Sequence, residues 1–130
     1  MENCIFCKIV KGEIPSYKVY EDEQFFAFLD IHPLNKGHTL IIPKQHYRWV
    51  WDIQEEYSQI LNKIAKAIKK AFQTDYVQSV IMGDEVHHAH IHLIPRFEND
   101  GHSNLPQPAD YKEFSKEEMK EFAEKIASFL

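Results

Sequence analysis

The chain has 130 residues, 44% of them hydrophobic, with 15 basic and 20 acidic side chains and a net charge of −5. That length suits one domain with a single core, and the acidic balance excludes a general grip on nucleic acid, which needs a concentrated basic surface. No apolar run approaches the roughly 20 residues of a membrane-spanning helix. Met1-Glu2-Asn3-Cys4 lacks the basic and apolar regions of a signal peptide, so a cytoplasmic location is expected.

Cys4 and Cys7 are the only cysteines, spaced C-x-x-C. In a reducing compartment that spacing suits half of a zinc site or a redox dithiol better than a structural disulfide. The redox reading expects a strand before the pair, and nothing strand-like precedes Cys4. Zinc needs two further ligands, and two histidines are an ordinary choice, but spacing does not select them. Two reduced thiols in a short N-terminal turn remain the simpler alternative.

Aromatic and β-branched residues over 17–20 and 25–30, parted by Glu21-Asp22-Glu23, predict a hairpin. Pro33 and Gly37 punctuate the next connection. Residues 38–43 read as a buried strand with His38 on the face of Leu40 and Ile42. From Ile53 to Phe72, apolar residues at three- and four-residue spacing predict the longest helix, flanked by a solvated row of Lys63, Lys66, Lys69 and Lys70. Trp49 and Trp51, just before it, are expected in core packing or a subunit contact. Residues 77–82 predict a short strand, and Gly83-Asp84-Glu85 turns it into another that starts at Val86. An extended loop over 97–114 either wraps the surface or covers the site. Ser115 and Glu118 then form a capping box for a terminal helix with Met119, Phe122, Ala123, Ile126 and Leu130 on one face.

His88-Ala89-His90-Ile91-His92-Leu93 carries the chemistry. Imidazoles at every second position project from one face of a strand while Ala89, Ile91 and Leu93 pack into the core, and His87 faces away. Imidazole has an unperturbed pKa near 6.5, which leaves a large neutral fraction at physiological pH, so the row suits a metal site or a nucleophile. There is no G-x-x-x-x-G-K-[ST] and no H-E-x-x-H. A nucleophile elbow is also missing. That leaves histidine itself as nucleophile.

This block resembles the signature of the histidine triad family of nucleotide hydrolases and transferases. Cys4-Ile-Phe-Cys7-Lys-Ile, Ala27-Phe-Leu-Asp30-Ile-His-Pro33 and Gly37-His38-Thr-Leu-Ile-Ile-Pro43-Lys44 are similar to further blocks of the same family in its usual order, so the likeness covers about residues 4–96. It implies a single HIT-like domain over 1–130. The expected fold is α+β, a five-stranded antiparallel meander with one long helix on a face and the C-terminal helix beside it.

The resemblance also implies a phosphoramidase or hydrolase acting at the α-phosphate of purine nucleotide derivatives, such as phosphoramidates and dinucleoside polyphosphates. His90 would be the nucleophile, with His92, His88 and His38 around it. Asp30 would bind the ribose hydroxyls, and Ile31, Phe6 and Ile9 would wall the base pocket. Zinc would be held by Cys4, Cys7, His46 and His88, and the protein would be a homodimer. The chain departs from the family before the triad, where a shorter connection puts Asp84 in place of a glutamine that contacts the reacting phosphate. Lys44 and Arg96 are set aside as exposed cations. Two alternatives stay open: a metallohydrolase ligated by all three triad histidines, and a non-catalytic, zinc-stabilised nucleotide-binding module.

Overall fold

Near-continuous apolar runs at Phe25–Leu29 (β2) and Thr39–Pro43 (β3) require cover on both faces, because every residue in either strand is buried. A computed structural model describes residues 3–130, so Met1 and Glu2 of the leader reading lie outside the described residues. Alternation along the strands divides the cover. Phe25, Ala27, Leu29 and Ile41 face one cluster, whereas Phe26, Phe28, Leu40 and Ile42 face another.

The first cluster is built by the long helix Ser58–Phe72 (α2) and the terminal helix Lys116–Ala127 (α3). Ile60, Ile64, Ala67, Ile68, Ala71 and Phe72 form the buried stripe of α2. The capping box of α3 forms as expected: Glu118 N–H donates to Ser115 Oγ at 3.1 Å and Ser115 N–H donates to Glu118 Oε1 at 2.9 Å. Met119, Ala123 and Ile126 are its buried face, while Leu130 lies past the helix end and is exposed.

The opposite face is covered by a short helix for which sequence patterning gives no expectation, Ile5–Val10 (α1). Cys4 caps it, its sulfur accepting from Cys7 N–H at 3.3 Å. Phe6 and Ile9, three apart, pack on Phe26, Phe28, Leu40 and Ile42.

The remaining strands are Lys18–Glu21 (β1), Val77–Val80 (β4) and Ile91–Pro95 (β5). All neighbours pair antiparallel, in the order β1-β2-β3-β5-β4. The α+β class and five antiparallel strands are as expected, but the order is not a continuous meander. The chain crosses by way of α2 to an edge, lays down β4, and returns β5 between β4 and β3.

Three boundaries differ from expectation. The long helix starts at Ser58 instead of Ile53, because Val50–Asp52 forms a separate 3-10 turn and Ile53 is extended. Ile53 and Tyr57 nevertheless touch the core, so their spacing reports burial without a helix. β4 ends at Val80, opposite His92. β5 begins at Ile91, opposite Ile41, so of the triad only His92 lies within a strand.

Loop 97–114 wraps the surface and is anchored by Arg96. That side chain is not an exposed cation: it is buried, donating from Nε to Asp100 Oδ2 at 2.8 Å, from Nη2 to Oδ1 at 3.2 Å and from Nη1 to Gln78 Oε1 at 3.0 Å. The guanidinium holds the Asp100 carboxyl well below the usual carboxylate range. Asp100 Oδ2 also accepts from buried Asn35 Nδ2 at 2.9 Å, and Asn35 Oδ1 accepts from Lys112 Nζ at 2.6 Å. Lys44 pairs with Glu21 at 2.7 Å. No described helix is long and apolar enough to cross a membrane.

Replacing Asp100 by Ala leaves a buried guanidinium without its carboxylate. The expected cost is about 3–5 kcal/mol in urea-unfolding free energy, and a loss below about 1 kcal/mol would show that the pair does not anchor the loop.

Candidate active site

Once β5 leaves the ladder, His88, Ala89 and His90 take other partners. Ala89 N–H donates to the Tyr47 carbonyl at 2.7 Å, and His88 Nε2 donates to the Pro43 carbonyl at 2.8 Å. With its proton committed there, the His88 ring presents Nδ1 as a lone pair, 3.4 Å from Cys4 Sγ and 3.5 Å from Cys7 Sγ. His46 Nδ1 lies 3.4 Å from Cys7 Sγ. The four atoms all fall within 4.8 Å of one another.

Separations of 3.4–3.5 Å match the edges of a tetrahedron with Zn–S near 2.3 Å and Zn–N near 2.0–2.1 Å. The donor set therefore fits zinc. Burial, with the neighbouring Cys4 sulfur, pushes the Cys7 thiol up to about 11. Burial also lowers His46 and takes His88 down to about 4, so both rings are neutral.

The second group of rings is ordered by a relay of donors. Leu34 N–H donates to His38 Nδ1 at 3.0 Å, which leaves the His38 proton on Nε2, facing His92 Nδ1 at 3.0 Å. His92 must accept there, so its own proton sits on Nε2. The face shared by His38 and Leu40 is what brings this about, since Leu40 is the cross-strand partner of His92. Burial drives His38 down to about 3 and His92 to about 4, each helped by the next imidazole in the row. Asp30 Oδ2 lies 3.6 Å from His38 Nε2, but neutral rings make this a polar contact and not an ion pair.

His90 stands between the two groups. Its Nδ1 donates to the His88 carbonyl at 2.7 Å, so its lone pair is on Nε2, which bonds to no described residue. Burial lowers its affinity for a proton; the His88 carbonyl, Asp30 and Asp84 oppose this, and the Arg48 guanidinium adds to it. The Phe6 ring meets that of His90 edge-on at 5.1 Å.

The structure thus gathers His88, His90, His92, His38, Asp30 and Phe6, with Cys4, Cys7 and His46 on the far side of His88. Burial raises the Asp30 pKa, against a hydrogen bond that its Oδ1 accepts from His32 N–H at 2.9 Å. Ile9 lies behind Phe6 in the apolar cluster. Ile31 is 66% exposed on the loop after Asp30. His87 is exposed, and so is Asp84. Arg48 carried no signal in sequence, being one cation in a short connection.

Chemically, the cluster offers a lone pair on His90 Nε2 beside an N–H donor on His92 Nε2. A family model described as HIT domain matches residues 11–99. The chain belongs to the HIT family. It is 42% identical to the adenosine 5′-monophosphoramidase HNT1 of Saccharomyces cerevisiae, over 87% of this chain and 75% of that protein. Among solved structures it is similar to a Hit-like protein of Bartonella henselae (TM-score 0.82, 38% identity, 100% of this chain and 98% of that one). It is also similar to a Zn-bound histidine triad family protein of Mycobacterium smegmatis (TM-score 0.74, 29% identity, 98% and 93%).

The buried neutral rings of this HIT protein link its stability to pH. His38 and His92 titrate near 3 and 4 when folded and near 6.5 when unfolded, so below pH 6.5 the unfolded chain binds more protons. Stability is therefore complete above about pH 6.5 and falls on acidification, by up to about 1.4 kcal/mol per pH unit for each ring. Urea midpoints measured from pH 7.5 to 4.5 should fall, with a shallower slope in His38→Gln; a level midpoint would contradict neutral burial.

Proposed function

We propose that the protein is a nucleotide phosphoramidase or hydrolase that acts at the α-phosphate of purine nucleotide derivatives, phosphoramidates and dinucleoside polyphosphates among them, through a nucleotidyl group carried on His90. The observation that supports it most is the bond from His90 Nδ1–H to the His88 carbonyl, which makes Nε2 the nucleophilic atom without any proton transfer. His90 Nε2 attacks the α-phosphorus, and the bond to the group beyond it breaks. Water then attacks the same phosphorus, forming a P–O bond as the P–N bond breaks, which releases the nucleoside monophosphate and a proton and restores neutral His90.

His92 donates from Nε2 to a non-bridging phosphate oxygen, and His38 keeps that proton in place by donating to Nδ1. His88 positions the nucleophile through its carbonyl. Asp30 accepts from the ribose hydroxyls, and Phe6, Ile9 and Ile31 wall the side where the base sits. Cys4, Cys7, His46 and His88 would hold a structural zinc, tying α1 to the triad segment. Residues 1–130 are read as one HIT-like domain and the active form as a homodimer, the arrangement implied by the family resemblance.

The metallohydrolase reading has less support. Among the described residues, the groups able to hold a metal are Cys4, Cys7, His46, His88 and, separately, Asp30, His38, His92; neither unites the three triad rings. Asp84, a carboxylate in place of a phosphate-contacting glutamine, favours the non-catalytic module as the competing account.

Quenched mixtures with adenosine 5′-phosphoramidate, read by intact mass, should show a nucleoside monophosphate adduct. His90→Ala should remove it and lower turnover more than about 10³-fold. Binding with neither adduct nor turnover would favour the module. Elemental analysis should find stoichiometric zinc, with Cys7→Ser losing both the metal and several kcal/mol of stability; a metal-free protein of unchanged stability would refute the zinc assignment.

A further inference from the structure

Arg48 sits on the segment that runs beside the triad. The Tyr47 carbonyl holds Ala89 N–H at 2.7 Å, and Val50 packs on Ala89 and Ile91. Its guanidinium lies 3.9 Å over the Trp49 ring, which stacks on Trp51 at 4.8 Å and 10°. Trp49 is seated in turn against Gly83, where an added Cβ would come within 2.5 Å of the indole. Two tryptophans and a glycine turn thus hold one cation in place.

That cation is short of a partner. Among the described residues Arg48 forms no ion pair, and its Nη1 is buried with no hydrogen bond. A desolvated guanidinium nitrogen without an acceptor is costly, and no carboxylate of the described chain relieves it. Strand register places it relative to the substrate. Asp30, His38 and His92 lie toward the Leu40 end of β3, whereas His88 and Arg48 lie beyond its Pro43 end. His90 falls between them, so the cation is on the flank away from the ribose acceptor.

We propose that Arg48 determines specificity for an anionic leaving group, so that the site prefers nucleotidyl acid anhydrides, whose α-phosphate is joined to a phosphate, polyphosphate or sulfate, over phosphoramidates. This rests on the reading of His90 as nucleophile. As the P–N bond to Nε2 forms, the P–O bond to the departing group breaks and its electron pair stays on that oxygen. A guanidinium holds such charge through fixed N–H donors but has no proton to give. An amine leaving group needs that proton, so Arg48 assists the anhydride selectively.

The test compares kcat/KM for a diadenosine polyphosphate and for adenosine 5′-phosphoramidate in the full chain. Arg48→Gln should lower the anhydride-to-phosphoramidate ratio about tenfold or more, and Arg48→Lys, which keeps the charge but can give a proton, should restore part of the anhydride kcat/KM without restoring the full ratio. An unchanged ratio, or a change in oligomeric state, would make Arg48 a scaffold or interface residue and overturn the assignment. Nucleotide affinity in a His90→Ala background separates this from the catalytic reading: ADP should bind tighter than AMP, and Arg48→Gln should abolish the difference. If His90 carries no adduct yet that difference appears and is lost in Arg48→Gln, the covalent mechanism fails and the anion site stands. Equal affinities with Arg48 intact would refute the anion site whatever His90 does.

Discussion

His88 is the residue on which the site depends, because both ring nitrogens and its carbonyl are committed in different directions. Nε2 donates to the Pro43 carbonyl, Nδ1 turns to the two cysteine sulfurs, and its own carbonyl accepts from His90 Nδ1. A ring fully buried in this way cannot turn without losing several bonds at once. The orientation of His90 is thereby tied to α1, more than 80 residues away in the chain.

The sheet makes this possible by separating its two faces. Against α2 and α3 it is mainly apolar and supplies the packing. Against α1 the apolar residues share the face with His38 and His92, whose strands pair at Leu40 and His92. Burial there keeps the rings neutral, so a nitrogen lone pair is present well below the ordinary imidazole range. The fold keeps these rings neutral and gives up stability in acid.

A second network steadies the loop that bears Asp30 and Leu34. Arg96 and Asp100 reach Asn35 through their shared carboxylate, Lys112 N–H donates to the Pro33 carbonyl at 2.7 Å, and His102 Nε2 donates to the Leu34 carbonyl at 2.6 Å. Since Leu34 N–H opens the donor relay to His38 and His92, the wrapping segment 97–112 contributes to the site without touching the triad.

Residue type and local period were enough to recognise the strands, the capped α3, the burial of Ile53 and Tyr57, and the family blocks at residues 4–9, 27–33, 37–44 and 88–96, because these are properties of neighbouring side chains. Three things lay beyond their reach. The strand order β1-β2-β3-β5-β4 depends on which edge α2 delivers the chain to. The burial of Arg96, which sequence suggested was exposed, depends on Asp100 folding back over it. Which nitrogen of each imidazole carries the proton depends on carbonyls and N–H groups at residues 34, 43 and 88. A histidine's tautomer is set by its hydrogen-bond partners, and the Pro43 carbonyl that fixes His88 and the His38 ring that fixes His92 lie on distant stretches of chain brought alongside only when the sheet has formed.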